Sequence, residues 1–274
     1  MIDRLGAAWN WTGWATGLSA GLLILYAILL RFRFRPRSIL FLLGVVLIWL
    51  ALGSPLAVLA DHYLFTAHVV QNLILLMAAP ELLLLGTPTL PAPARNGLVR
   101  IPIASAVLGW IAGMGVLAVW HIPALFNTAL QSESVHVAQQ LSLLAAGLLF
   151  WWPVLSPWKR QRMPPVPWSA IYLLAGCIGV SFVSLAVTFT RFGAYQSYLI
   201  PKDTLGILPL VRDTWRLTFE TDQETAGMFL WIGGCMVYAV TTMGLFVAWY
   251  NSSEMREEFT SKQAPVSTSA PQDR

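Results

Sequence analysis

The sequence predicts an all-α integral membrane protein, a seven-helix bundle with its N-terminus outside and its C-terminus in the cytoplasm. Three observations predict it. Of the 274 residues, 57% are hydrophobic and 11% charged, with a mean hydropathy of +0.64, whereas a soluble domain carries roughly 25% charged residues. Seven apolar runs approach or reach the ~20 residues that a helix needs to cross a ~30 Å hydrocarbon layer. The basic residues divide unevenly between the two sets of connections.

The first run, residues 14–30, has a nearly neutral N-terminal flank and is followed by arginines where a small-residue cleavage site would stand in a secretory signal. It is therefore expected to remain as an N-out anchor. Residues 38–52 form the second run, and residues 64–85 the third, which carries His68 one turn in. The fourth, 102–119, ends just before Trp120-His121, and the fifth, 135–155, opens on His136. Residues 168–190 and 225–250 are the sixth and seventh, joined by the one sizeable extramembrane segment, 191–224. None of the runs shows the alternation of a barrel strand, so helices are expected throughout. Residues 1–250 read as one membrane domain, and 251–274, rich in Ser, Thr, Gln, Pro and charge, as a disordered cytoplasmic tail.

Orientation follows from the Lys and Arg residues. Arg31, Arg33, Arg35, Arg37, Arg95, Arg100, Lys159, Arg160, Arg162, Arg256, Lys262 and Arg274 place 12 on one side. Arg4, Arg191, Lys202, Arg212 and Arg216 leave 5 on the other. The richer side is cytoplasmic. The net charge of +4 is thus a topology signal, and its dispersal among loops argues against a nucleic-acid partner. Trp9, Trp11, Trp14, Trp120, Trp151, Trp152, Trp158, Trp168 and Trp249 fall near run ends, where an interfacial aromatic belt is expected.

Threaded this way, all four histidines gather at the outer face: His62 before the third run, His68 inside it, His121 after the fourth and His136 opening the fifth. A single interfacial histidine is accounted for by hydrogen bonding to loop backbone. An imidazole near lipid is costly without a partner, however, and three together point to a shared metal site of His68, His121 and His136. Asp61 and Asp222 are placed to orient those rings, as carboxylates behind metal-bound imidazoles do. Cys177 and Cys235 lack the C-x-x-C spacing of a zinc or thioredoxin motif and read as small buried apolar residues. Met228, Met236 and Met243 share the last run and read as core, with a Cu(I) path along them as the alternative. There is no phosphate-binding glycine loop, no G-x-S-x-G and no H-E-x-x-H, so no enzyme chemistry is expected.

The runs Ser54-Pro-Leu-Ala-Val-Leu-Ala-Asp61-His-Tyr-Leu-Phe-Thr-Ala-His68-Val-Val-Gln71, Trp120-His121-Ile-Pro123-Ala-Leu-Phe-Asn127 and Gly147-Leu-Leu-Phe-Trp151-Trp152-Pro153, with Asp222-Gln223, Ala226-Gly227 and Trp231, resemble the motifs of the polytopic CtaG-like cytochrome c oxidase assembly factors of bacteria. The resemblance covers roughly residues 54–250. It implies a seven-helix protein of the bacterial inner membrane that helps to build haem-copper oxidase, with copper as the metal handled, and an oxidase subunit and a soluble copper donor as partners. It also implies His-x-x-Gln-His in the third run and His-x-x-Glu-His in the fifth, each placing two imidazoles at i and i+4 on one helix face. This chain departs from both: Asn72 and Gln140 stand in place of the second histidines, and Gln139 in place of the glutamate. Amides are poor ligands for Cu(I). Glu81, beside Pro80, is a further departure, read as a snorkelling carboxylate or as a proton or ion site. Three readings therefore stay open on sequence: a copper-handling assembly factor, a metal-free membrane subunit or scaffold that has lost ligands, and a bis-histidine b-type haem protein.

Overall fold

The computed structural model describes residues 6, 8–30, 35–88, 102–157, 167–199, 203 and 205–263, and among them every regular element is a helix. In chain order these are α1 (Trp14–Leu29), α2 (Ser38–Gly53), α3 (Pro55–His62), α4 (Phe65–Gly86), α5 (Pro102–Trp120), α6 (Pro123–Gln131), α7 (Glu133–Leu155), α8 (Trp168–Phe189) and α9 (Phe219–Gln263). Arg4, Arg31, Arg33, Arg95, Arg100, Lys159, Arg160, Arg162, Lys202 and Arg274, on which the orientation largely rests, and Trp158 of the expected aromatic belt lie outside the described residues.

Among the described residues, four helices are long and apolar enough to cross a membrane: α4, α7, α8 and the stretch Phe219–Asn251 of α9. Two bent pairs raise the number to six if each is a single span: α2 with α3, bent by 47°, and α5 with α6, bent by 74°. α1 is a shorter apolar helix of 16 residues. Both bends sit at prolines. Pro55 and Pro123 open α3 and α6, where a missing N–H removes nothing from the ladder. Ser54, between α2 and α3, accepts from the Leu56 amide at 3.1 Å and donates to the Leu50 carbonyl at 2.5 Å, so the bend leaves few backbone groups unmet.

α4 is the central helix, packing on α2, α7 and α9, while α7 also packs on α5, and α8 on α9 and α5. The third and fifth spans of the sequence reading are direct neighbours, and α7 stands between α4 and α5. The approach of α7 to α4 depends on Gly147, where an added Cβ would lie 2.3 Å from the Leu76 carbonyl oxygen and 2.6 Å from the Pro80 ring. That carbonyl lies within a π-helical turn, Ile74–Ala78, just before Pro80, whose missing N–H removes the i−4 partner of Leu76. Gly86 does the same for α2, with its virtual Cβ 2.3 Å from the Phe41 amide nitrogen.

Four expectations are corrected here. Cys177 and Cys235 are not isolated thiols but a disulfide joining α8 to α9. Met228, Met236 and Met243 are 55%, 58% and 63% exposed, so they face outward with Ile232 and Val240 rather than forming core or a metal path. Trp151 is completely buried against Phe150 and Tyr238 instead of sitting in an interfacial belt. The last helix runs on to Gln263, past the Tyr250 boundary, while residues 264–274 of the expected tail lie outside the described residues. Exposed Ile24, Ile28, Leu108, Ile111, Leu174, Ile178 and Phe182 make the outer surface apolar at mid-helix, as lipid contact requires.

A candidate metal centre at one end of the bundle

α4 and α7 both begin at the same end of the bundle, α4 with His68 in its first turn and α7 with His136. Their rings stack at 5.9 Å between centroids, 23° from coplanar. Asp61, from the last turn of α3, brings its Oδ1 to 3.5 Å from His136 Nε2. Ligand atoms of Asp61, His68 and His136 all lie within 4.8 Å of one another. Ligands at ~2.1 Å from a shared ion stand at most about 4 Å apart, so side-chain adjustments of about an ångström close this set around a metal. Burial deepens across it: Asp61 is 29% exposed, His136 13%, and His68 0%.

Two glutamine amides stand against the same nitrogens. Gln139 Nε2 lies 3.3 Å from His68 Nε2, and Gln140 Nε2 lies 3.1 Å from His136 Nε2. An amide NH2 can only donate, so this arrangement leaves both Nε2 atoms as acceptors, with their lone pairs turned inward. Both amides must swing aside for a metal, forgoing about 1 kcal/mol per hydrogen bond. Asn72, one turn below His68, is buried with neither amide atom hydrogen-bonded. Buried polar groups left unpaired cost roughly 1–3 kcal/mol each, and such a group one turn from His68 is where a polar ligand would be satisfied.

His121 is brought to the same end but not into the cluster. Its Nδ1 faces the Leu117 carbonyl at 2.8 Å, which fixes the proton there and turns a buried, unpartnered Nε2 lone pair inward. Phe126 contacts both His68, at 4.8 Å between centroids, and His121, at 6.4 Å. His62, half-buried, lines a cavity of about 390 Å³ with Asp61, Glu133, His136 and Gln140.

The surroundings hold these residues by their backbones. Tyr198 donates to the Ala60 carbonyl, next to Asp61, and Tyr195 to the His121 carbonyl at 2.9 Å. Burial pushes the Tyr195 phenol up to about 12. Tyr198 is pushed well above its usual value by burial and then by the charges of Asp61 and Asp222, so both phenols stay donors. The Asn127 side chain donates to the Ala194 carbonyl at 2.8 Å and accepts from the Ser197 amide at 3.2 Å, tying α6 to this tyrosine segment.

Asp222 does not orient a histidine. It caps α4 from outside, accepting from the Phe65 amide at 2.7 Å, the Thr66 amide at 3.1 Å and the Thr66 hydroxyl at 2.7 Å. Gln223 next to it donates to the Val187 and Thr190 carbonyls at the end of α8. The sequence pointed to His68, His121 and His136 and cast Asp61 as support; the structure adds Asp61 to the donor group, and Gln139 and Gln140 to its immediate surroundings. Glu133, His136 and Gln140 at i, i+3 and i+7 was the available signal for a polar face on α7.

A model of the cytochrome c oxidase caa3 assembly factor family matches residues 21–252. No curated protein and no solved structure matches the chain.

Proposed function

Since the chain belongs to the cytochrome c oxidase caa3 assembly factor family, we propose that it is a multi-pass protein of the bacterial inner membrane that binds copper at the outer face and hands it to an assembling oxidase subunit. The charge asymmetry of the connections supports an orientation with the histidine end outside. The observation that carries the copper reading is the convergence of Asp61, His68 and His136 from three helices. His121 joins as a fourth donor once Phe126 yields, since its buried Nε2 has no other partner. Two imidazoles and a carboxylate suit Cu(II) best among the divalent first-row ions. The protein's part is to bind, dehydrate and release; no bond is made or broken in the cargo.

A second reading, a metal-free scaffold of the oxidase, draws on the Gln139 and Gln140 amides that occupy the imidazole nitrogens. Cells carrying His68→Ala separate the two. The copper reading predicts oxidase subunits that accumulate but lack copper, restored by excess copper in the medium. The scaffold reading predicts fully metallated oxidase in the variant.

A further inference from the structure

The cavity beside the cluster contains more chemistry than the three donors need. Its walls include Glu133, exposed in the first turn of α7, and half-buried His62, together with Asp61 and His136, and Asn10 reaches in from the N-terminal segment. Among the described residues, two carboxylates and two imidazoles face one space, and no Lys or Arg lines it. Glu133 alone would be explained by the positive end of the helix dipole. That does not explain why His62 and a second carboxylate share the cavity with it. At about 390 Å³ the space also exceeds a bare ion: the six waters of an aquated divalent cation take about 180 Å³ at ~30 Å³ each. Glu133 is exposed and His62 and Asp61 are half-buried, while exposure falls to 13% at His136 and 0% at His68.

We propose that Glu133 and His62 form a capture station where a hydrated divalent cation, Cu(II) in the reading above, is held before it sheds water and passes to Asp61, His136 and His68. The proposal rests on the copper reading and adds to it a port, an order of ligands and an oxidation state. Carboxylates at the mouth attract a dication and stabilise its hydration shell, whereas a Cu(I) route would present sulfur. None of the described residues lining the cavity is a cysteine or methionine.

Trp14 lines the same cavity, so the part of the tryptophan quenching that Trp14→Phe removes reports a paramagnetic ion arriving there. Stopped-flow mixing of the full-length purified protein with Cu(II) in a non-coordinating buffer, where the ion is the aquated dication, is expected to show an association rate that falls at least fivefold in the double variant Glu133→Gln, His62→Gln. The final electron paramagnetic resonance spectrum should match wild type, because the inner ligands are untouched. The wild-type rate should also fall as ionic strength rises, a check that needs no variant. An unchanged rate in the double variant, or a wild-type rate indifferent to salt, overturns the capture station while leaving the inner site standing. Tight binding of Cu(I) but not Cu(II) overturns the assigned oxidation state. Absence of any copper binding by wild type overturns the copper reading itself and this inference with it.

Discussion

At the scale of the residue, the two amides against the imidazoles decide how strongly the site can bind. Gln140 Nε2 is 3.1 Å from His136 Nε2, so Gln140→His sets a third imidazole beside the ring it now bonds. Asn72→His does the same one turn below His68, where a buried amide now lacks partners. The double variant is expected to bind copper at least tenfold more tightly than the native chain, about 1.4 kcal/mol, in a chelator competition assay; equal affinity with the fold intact would favour the scaffold. A second residue governs the outer segment. Against the upward push of desolvation, hydrogen bonds from the Tyr63 hydroxyl and the Ile207, Leu208 and Gly206 amides hold the Asp203 carboxyl below its usual value of 3.8. A carboxyl whose pKa is lowered on folding contributes stability above the unfolded pKa, and that contribution is lost as pH falls through the folded one. Amide exchange at residues 205–208 should therefore be protected at neutral pH, lose protection relative to intrinsic rates below about pH 4, and be unprotected at both in Asp203→Asn.

At the scale of the element, the sequence showed which helices exist better than how they end. Apolar length marked α4, α7 and α8 to within a few residues because burial in lipid demands it. It could not show the bends at Pro55 and Pro123, since a short helix turned along the membrane face has the same composition as the end of a span. Nor could it show that Asp222 caps α4, a bond across 157 positions of chain. This cap is testable. Asp222→Ala removes the acceptor for the Phe65 and Thr66 amides, a loss of about 1–2 kcal/mol for a cap of this kind. It should also weaken copper binding, because His68 sits in the turn that the cap fixes. Gln223→Ala, which frees the end of α8 instead, should lower thermal stability in detergent with little change in copper affinity. Equal effects of both on copper would show that the α4 cap has no special role. Gly147→Val should be more damaging than either, since it drives a side chain into the Leu76 carbonyl and Pro80.

At the scale of the whole molecule, the histidine end was legible because every imidazole falls at one end of an apolar run, a pattern that topology alone converts into proximity. What topology does not convert is which donors touch. The bend after α5 puts Phe126 against both His68 and His121, while α3 brings Asp61 to His136. Orientation rests on the 12-to-5 distribution of basic residues, and reporter fusions at Lys159 and Lys202 should report opposite compartments, the first cytoplasmic and the second external.

Copper stoichiometry at equilibrium tests most directly whether three helices build a metal site from Asp61, His68 and His136. Dialysed against Cu(II) buffered with a competing chelator, the wild-type protein should retain one copper per chain, His68→Ala and His136→Ala should each lose it, and Leu174→Ala on the exposed lipid face should keep it. Equal copper in wild type, His68→Ala and His136→Ala, or none in any of the four proteins, would contradict the account.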